Sequence, residues 1–383
     1  MKIAMLGQKE VPSRAGGIEV AVEELAVRMV ARGHEVTLYN CCRQGMRRAG
    51  KRKKNKTYKG VQICEIFVPN IRGVAAALGS VIATIRAVAK KYDCIHFHAE
   101  GSAVLSFLPH FFGIRTVVTI HGLDWQRSKW GSFAACYLKL GERVAVSSAD
   151  KIIVLSRAMQ EYFYKTYRRE TVIVPNGMEV PVLRGAEKIR KKWGLRKNEY
   201  ILFVGRIVPE KGLKMLISAF LKTATEKKLV IAGGISDTRN FYRMLQRMAE
   251  ADSRILFTDF AQKEELEELY SNCYFYCLPS EIEGMPISLL EAMSYGNACL
   301  CSDIPECMEV MEGNGFLFKQ RDEEDLRQNL QYLCDHPETV EIMKRKMKDF
   351  SCEKYDWETI TDKTLELYLS LIHISEPTRL DVM

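Results

Sequence analysis

The stretch YILFVGRIVPEKGLKMLISAF at residues 200–220 has the pattern of a buried strand, a short loop and an amphipathic helix. A run of apolar residues, 200–204, ends at Gly205, and apolar residues then recur every three or four positions from Leu213 to Phe220. A continuous apolar strand followed by a helix is typical of a parallel sheet, which helices cover on both faces. The stretch therefore predicts an α/β fold.

The same alternation extends along the chain in both directions. With 383 residues, the chain exceeds the roughly 250 residues at which single cores stop growing, so we expect two α/β domains with one cleft between them. A helix is predicted at 18–32, directly after Gly16 and Gly17. Strands are predicted at 2–7, 35–40, 61–68, 94–99, 115–121, 151–156 and 171–174 in the first half, and at 200–205, 229–233, 254–259, 274–278, 298–302 and 315–318 in the second.

Proline, glycine and charged residues near 180–198 indicate the domain boundary. We predict an N-terminal domain at 1–185, a C-terminal domain at 195–350 and a C-terminal helix at 351–368 that packs back toward the N-domain. Residues 369–383 interrupt the pattern and look like a translated sequencing-adapter remnant, so they are predicted to be a non-native tail.

The positive charge is concentrated in one segment. The formal net charge is +8, and residues 47–59 hold eight basic residues and no acidic one. Such a run is usually a solvated loop, but it also suits an anionic surface such as the inner face of the cell membrane. The 12 cysteines form no C-x-x-C pair, and the first residues do not resemble a signal peptide, so we expect reduced thiols and a cytoplasmic protein.

Two cations follow the strand at 200–205. Arg206 and Lys211 lie at its carboxyl end, where open α/β sheets bind ligands. An arginine offers a fork of donors for phosphate oxygens and a lysine a mobile charge. In the first half, Gly16 and Gly17 open a helix, and a glycine-rich helix start can bind an anion. The alternatives are solvated loop cations and ordinary tight turns, since the chain contains neither G-x-G-x-x-G nor G-x-x-x-x-G-K-[ST].

Two glutamates lie eight residues apart after the strand at 274–278. Glu283 is in a glycine- and proline-marked loop, and Glu291 is in an apolar helix. A carboxylate among apolar residues needs a partner, and the paired hydroxyls of a ribose would provide one. Two such carboxylates could also act as acid and base in a glycoside hydrolase. For Glu281 a structural role fits better, because a carboxylate near the start of the following helix interacts favourably with the helix dipole.

Together these elements resemble the retaining glycosyltransferases of the GT-B fold, family 4. The matches are Gly-Arg-x4-Lys at 205–211 and the E-x7-E element of Glu283 and Glu291, and the resemblance extends to about residue 368. It implies two Rossmann-like domains with a central donor cleft. It also implies catalytic roles for Glu283, Arg206, Lys211 and His121, and donor binding by Gly16, Gly17, Arg206, Lys211, Glu283, Gly284, Met285, Pro286 and Glu291.

The individual roles also come from the resemblance. Arg206 and Lys211 would contact the donor diphosphate with help from the Gly16–Gly17 loop, Glu283 would lie by the donor sugar and Glu291 would bind the ribose. His121, in Thr-Ile-His-Gly-Leu-Asp-Trp, would touch the transferred sugar.

The Gly-Gly-Ile-Glu and His-Gly-Leu-Asp-Trp elements are similar to a subgroup that includes rhamnosyl and hexosyl transferases of bacterial capsule or exopolysaccharide assembly. The implied reaction transfers a hexose or deoxyhexose from a nucleoside diphosphate sugar to a glycan or polyprenyl-linked acceptor, with retention. The chain contains no D-x-D triplet, and the family resemblance implies no metal and no cofactor.

Three other functions stay open on the sequence alone. The basic 47–59 segment could bind nucleic acid, although it contains a single aromatic residue, Tyr58, and no recognisable module. The chain could be a non-enzymatic nucleotide-sugar-binding protein. It could also be a related GT-B enzyme that inverts the anomeric centre or performs phosphorolysis.

Overall fold

The computed structural model describes residues 1–14, 16–43, 56–69, 74–127, 130–235, 238–348 and 353–373. The chain forms two units, one of Met1–Gly177 together with the residues from Trp357 onward, and one of Met178–Asp356. Each unit is built on a largely parallel sheet with helices, which confirms the predicted α/β class. Most of the basic 47–59 segment lies outside the described residues.

Unit 1 contains an eight-stranded sheet in the order β3-β4-β2-β1-β5-β6-β7-β8. All neighbouring strands are parallel except the edge strand β3, which pairs antiparallel with β4 and was not predicted because it is short and polar. The order reverses between β1 and β5, so the loops after these strands diverge. The strands are β1 (Lys2–Leu6), β2 (Glu35–Arg43), β3 (Lys56–Tyr58), β4 (Val61–Val68), β5 (Cys94–His98), β6 (Arg115–Ile120), β7 (Lys151–Val154) and β8 (Val172–Ile173).

The helices of unit 1 pack on its sheet in two groups. Helices α1 and α15 pack together, and Arg28 and Arg32 of α1 form ion pairs with Glu358 and Asp362 of α15. Helix α4 packs against both α2 and α5. The helices are α1 (Gly17–Ala31), α2 (Val74–Val88), α3 (Glu100–Ala103), α4 (Phe107–Phe111), α5 (Ser132–Ser148), α6 (Arg157–Tyr167) and the last helix of the chain, α15 (Trp357–His373).

Helix α15 continues beyond the predicted end of the C-terminal helix at 368. It runs to His373, and Leu371 is only 6% exposed in the apolar core of unit 1. Residues 369–373 therefore form the last turns of the helix, because their apolar spacing continues that of the preceding turns. That residues 369–383 are non-native stays a prediction. Residues 374–383 lie outside the described part.

The unit boundary lies nearer the N-terminus than the predicted 185–195. Gly177 packs directly against the indole of Trp357, since a Cβ atom at Gly177 would lie 2.4 Å from the ring atom Cδ2. This contact keeps the chain up to Gly177 in unit 1.

Unit 2 contains a six-stranded, all-parallel sheet in the order β11-β10-β9-β12-β13-β14. The order reverses between β9 and β12. The strands are β9 (Tyr200–Val204), β10 (Lys228–Ala232), β11 (Ile255–Asp259), β12 (Phe275–Leu278), β13 (Cys299–Ser302) and β14 (Phe316–Phe318). The helices are α7 (Lys188–Trp193), α8 (Leu213–Leu221), α9 (Arg239–Ala249), α10 (Lys263–Asn272), α11 (Ile287–Ser294), α12 (Pro305–Met311), α13 (Glu323–Asp335) and α14 (Pro337–Lys348).

The loops after β9 and β12 pack tightly together. Gly212 begins α8 with a φ of +68°, and a Cβ atom added there would lie 1.9 Å from the carbonyl oxygen of Pro279. The backbone N–H of Glu281 also donates to the carbonyl of Glu210 at 2.9 Å. Glycine at position 212 therefore permits both the left-handed backbone and the close approach of the two loops.

We expect Gly212→Ala to destabilise the protein more than Gly194→Ala. Gly194 has nearly the same φ, +65°, but nothing lies within 4 Å of a Cβ atom there. Gly194→Ala should cost only the left-handed penalty, about 1–2 kcal/mol. Gly212→Ala should cost about 1–3 kcal/mol more, because the loops must separate. Urea unfolding of both variants measures the difference, and equal losses would contradict the packing described.

Candidate functional site

The two cations predicted after β9 lie on one loop at the strand-order reversal of unit 2. Arg206 is half-buried, and no described side chain forms an ion pair with it. Lys211 ends the 3-10 turn Pro209–Lys211 that leads into α8. Its Nζ pairs with Glu283 Oε1, and the two side chains are only 13% and 10% exposed. The structure thus brings Lys211 and Glu283 together as an ion pair, which the sequence pattern did not predict.

Several anionic groups surround this ion pair. Glu306, at the start of α12, is near Glu283. Burial, followed by the charges of Glu283 and Glu309, raises the pKa of Glu306. The partner of Lys211, Glu283, therefore lies near further carboxyl groups. In a poorly solvated ion pair, removing one partner leaves the other charge uncompensated, which is energetically costly.

Gly284, Met285 and Pro286 are buried between Glu283 and α11. Pro286 is the N-cap residue of α11, with an extended backbone. These residues fix the path of the loop, so that Glu283 points toward Lys211 while Glu291 lies within the helix.

Glu291 is held by a tyrosine that the sequence analysis missed. The hydroxyl of Tyr270 donates to Glu291 Oε2 at 2.9 Å, and the ring of Tyr295 stacks on Tyr270 with centroids 5.3 Å apart. Burial raises the pKa of Tyr270, so the phenol remains a donor at neutral pH. Tyr270 precedes Glu291 by a complete strand, and for this reason no local motif could have indicated the contact.

In unit 1, Gly16 and Gly17 lie at the start of α1. Gly16 is its extended N-cap, and a Cβ atom there would lie 2.3 Å from a carboxylate oxygen of Glu19. Glu19 also accepts a hydrogen bond from the backbone N–H of Lys9 at 3.2 Å. A carboxylate in the first turn interacts favourably with the helix dipole. The predicted anion site is therefore flanked by an acidic side chain that ties the preceding loop to α1.

His121 follows β6 and belongs to a chain of three histidines. Its Nε2 lies 3.0 Å from His98 Nδ1, and the rings of His98 and His96 are tilted by 36° with centroids 4.1 Å apart. His96 in turn hydrogen-bonds Thr119 Oγ1 at 2.7 Å and the Tyr368 hydroxyl at 2.5 Å. The sequence analysis named only His121, although His-x-His at the end of β5 placed His96 and His98 on one face of that strand.

These histidines are neutral at physiological pH. Burial lowers the pKa of His121 to about 4 and that of His96 to about 3, and it holds the pKa of His98 well below its ordinary value. A neutral pair needs one donor and one acceptor nitrogen, so the tautomers of His98 and His121 are coupled through this contact. A cavity of about 20 Å³ beside His98, His121 and Asn176 has room for about one water molecule.

The segment after His121 is anchored by a buried carboxylate. Trp125 Nε1 donates to Glu142 Oε1 at 2.7 Å, and the hydroxyls of Tyr162 and Tyr167 donate to Glu142 Oε2 at 3.0 and 2.8 Å. Glu142 is fully buried in α5. Three donors converge on its carboxyl group, and the resulting network fixes the position of the loop that carries Trp125.

A second buried carboxyl group, Glu100, lies next to Glu142 at the start of α3. Within the described part of the chain, neither oxygen of Glu100 accepts a hydrogen bond. Burial and the neighbouring Glu142 raise the pKa of Glu100 to about 10. Burial disfavours the charged form of Glu100, so this carboxyl group carries a proton at neutral pH.

Both halves of the chain match family models. The model of Glycosyltransferase Family 4 matches residues 15–180, and that of Glycosyl transferases group 1 matches residues 185–350. The alpha-maltose-1-phosphate synthase of Mycolicibacterium smegmatis is 26% identical over 330 residues, 78% of this chain and 85% of the relative.

A second relative and a solved structure have similar coverage. The UDP-Gal:alpha-D-GlcNAc-diphosphoundecaprenol alpha-1,3-galactosyltransferase of Escherichia coli is 24% identical over 328 residues, 80% of this chain and 84% of the relative. The crystal structure of Anabaena Alr3699/HepE in complex with UDP and glucose superposes with a TM-score of 0.78 at 19% identity, covering 97% of this chain and all of that chain. This likeness establishes the fold.

Glu100→Gln should change how stability depends on pH. In the wild type, folded Glu100 keeps a proton that the unfolded chain releases near pH 4.3, so the free energy of unfolding falls as pH rises from about 5 toward 10. Glutamine does not titrate, so the variant lacks this dependence. Its free energy of unfolding should therefore increase relative to that of wild type as the pH is raised. Urea unfolding between pH 6 and pH 9, monitored by tryptophan fluorescence, measures the trend.

Glu142→Gln is the matched control for this experiment. It removes the charge that three donors stabilise, so it should cost at least about 2 kcal/mol across the same pH range. A Glu100→Gln variant that stayed parallel to wild type at all pH values would show that Glu100 is not the protonated member of the pair.

Proposed function

Because the chain is a glycosyltransferase of the GT-B superfamily, we propose that it transfers a hexose or deoxyhexose from a nucleoside diphosphate sugar. The proposed acceptor is a glycan or polyprenyl-linked sugar in bacterial surface polysaccharide biosynthesis, and the anomeric configuration is retained. The observation that carries the proposal is the ion pair of Lys211 and Glu283. Lys211 shares its loop with Arg206, which has no ion-pair partner among the described residues.

A diphosphate bound at this site would have two cations available. Arg206 would donate in a fork to phosphate oxygens. Lys211 would exchange its contact with Glu283 for a contact with phosphate, which is an alternative anion of higher charge. As the bond to the sugar breaks, both side chains would stabilise the negative charge that develops on the leaving diphosphate. The proposal assigns this charge stabilisation to Arg206 and Lys211 and includes no metal or cofactor.

The same exchange gives Glu283 a role. Once Lys211 turns to the phosphate, the Glu283 carboxylate can accept hydrogen bonds from sugar hydroxyls. Glu291, held by Tyr270 through Oε2, is our proposed ligand of the ribose. Gly284, Met285 and Pro286 would keep these two carboxylates at a fixed separation.

The unit 1 residues are proposed to serve the sugar and the loop around it. Neutral His121, whose tautomer is coupled to that of His98, would form a hydrogen bond with the transferred sugar. Gly16 and Gly17 would allow the backbone to approach the diphosphate. The acceptor hydroxyl would attack from the face that the diphosphate leaves, and a phosphate oxygen would take its proton, so no separate base is needed.

The acceptor class is supported by one relative. The Escherichia coli galactosyltransferase acts, by its name, on a sugar linked to diphosphoundecaprenol. We propose an acceptor of this kind for the present chain, at the cytoplasmic face of the cell membrane. The anomeric configuration of the product distinguishes this proposal from an inverting enzyme.

A thermal-shift panel of UDP, GDP, dTDP and ADP sugars should identify the donor, because a ligand that binds the folded state raises its stability. Arg206→Ala should weaken binding of that donor roughly tenfold or more, since a hydrogen bond to a charged group is lost. Arg321→Ala is the matched control, because Arg321 pairs with Glu281 at the surface. Equal donor binding by wild type and Arg206→Ala would overturn the assigned phosphate site.

Glu283→Gln should strengthen binding of the nucleoside diphosphate and slow transfer. Binding should strengthen because no carboxylate then competes with phosphate for Lys211. The rate of transfer should fall about 100-fold, because the carboxylate proposed to face the sugar is lost. Calorimetric titration and a transfer assay measure the two effects. Glu281→Gln should change neither, and weaker diphosphate binding by Glu283→Gln would contradict the exchange of partners.

A further inference from the structure

Three neighbouring helices of unit 1 expose large apolar side chains to solvent. Helix α4 packs against α2 on one side and α5 on the other, and we call the outer surface of these helices the α2–α4–α5 face. Phe111 is 81% exposed and Phe133 is 89% exposed, and Phe107 and Phe112 are each at least half exposed. Isolated exposed apolar residues are common, but a contiguous group of aromatic side chains marks an interaction surface.

The exposed residues follow the helical repeat. On α2 they are Leu78, Val81 and Ile85, and on α5 the outward residues are Phe133, Cys136 and Leu140. The inward face of α2, with residues such as Ala83 and Ala87, is apolar as well. A helix that is apolar on all sides is stable only when its outer side is also covered.

The charges on this face are of one sign. Exposed cations occupy the end of α2 and the second half of α5; they are Arg86, Lys90, Lys91, Lys139 and Arg143. Over residues 74–91, 105–115 and 130–148, the only acidic residue is Glu142, and it is fully buried. The face therefore combines apolar side chains with an uncompensated positive rim.

We propose that the α2–α4–α5 face docks on an anionic lipid bilayer, with its phenylalanines at the boundary of headgroups and acyl chains. Apolar area inserted into this boundary and cations paired with anionic headgroups are the two contributions that hold a protein on such a surface. A second copy of the chain is a poorer occupant, because a two-fold interface would place the same cation-rimmed surface against itself.

The mode of attachment is peripheral. In the ranges that the structure describes, no helix has the length and apolar character needed to cross a membrane. Trp130, 37% exposed just before α5, is an aromatic residue of the kind enriched at membrane interfaces. The α2–α4–α5 face belongs to unit 1, whereas Arg206, Lys211 and Glu283 belong to unit 2, so the docking proposal uses none of the residues assigned to the reaction.

The test is co-sedimentation of the full chain with two kinds of vesicle, one of phosphatidylcholine alone and one that also contains phosphatidylglycerol. Wild type should bind the anionic vesicles, and the combined variant Phe111→Ser, Phe112→Ser and Phe133→Ser should bind them roughly tenfold or more weakly. Phe260→Ser is the matched control, since Phe260 is a half-exposed phenylalanine of unit 2 and should leave binding unchanged. Replacing Arg86, Lys90 and Lys91 by glutamine should abolish the preference for the anionic vesicles.

Two further measurements separate docking from folding and from catalysis. The triple serine variant should keep the thermal unfolding midpoint of wild type within a few degrees and the full thermal shift with the nucleotide sugar, because its substitutions are at the surface. Unchanged vesicle binding by this variant would overturn the proposal. Light scattering should also be measured for both proteins. If wild type is a dimer, and the serine substitutions make it a monomer without loss of vesicle binding, the face mediates self-association and the proposal is wrong.

Discussion

In a parallel sheet, the carboxyl ends of all strands lie at the same edge. Where the strand order reverses, the loops that follow neighbouring strands separate and leave room for a ligand. This constraint positions every candidate residue in the protein. In unit 2 the reversal lies between β9 and β12, so the loop with Lys211 meets the loop with Glu283. In unit 1 the reversal lies between β1 and β5, close to the end of β6 and to His121. The close packing at Gly212 shows how tightly the geometry of the unit 2 loops is set.

Carboxyl groups with different partners are the second common feature of the two units. In unit 2, Glu283 pairs with Lys211. In unit 1, three donors converge on Glu142, and the pKa of the neighbouring Glu100 is raised to about 10, so Glu100 holds its proton. We propose that an incoming phosphate changes the first arrangement, whereas the second is closed and fixes the loop after His121. On this proposal, Glu283 belongs to a site that exchanges partners and Glu142 to a network that provides rigidity.

Much of the fold could be predicted from the sequence, because continuous apolar strands and glycine-marked loops are local signals. Every predicted strand is present, and Arg206, Lys211 and Glu283 were named from their position after strands. The contacts of Lys211 with Glu283 and of Tyr270 with Glu291 could not be predicted, since they join segments that only the sheet order brings together. The protonation of Glu100 was missed for the same reason, as its partner lies on α5. The extent of α15 was missed because its last turns have no local stop signal before His373.

The central claim is that a donor diphosphate takes Lys211 from Glu283. The most direct measurement is a crystal structure of the full chain with the nucleotide sugar that binds most tightly. We predict that the diphosphate lies within hydrogen-bonding distance of Arg206 and Lys211 Nζ, and that Glu283 has left Lys211 and faces the sugar. A diphosphate bound elsewhere, with Lys211 still paired to Glu283, would contradict the account.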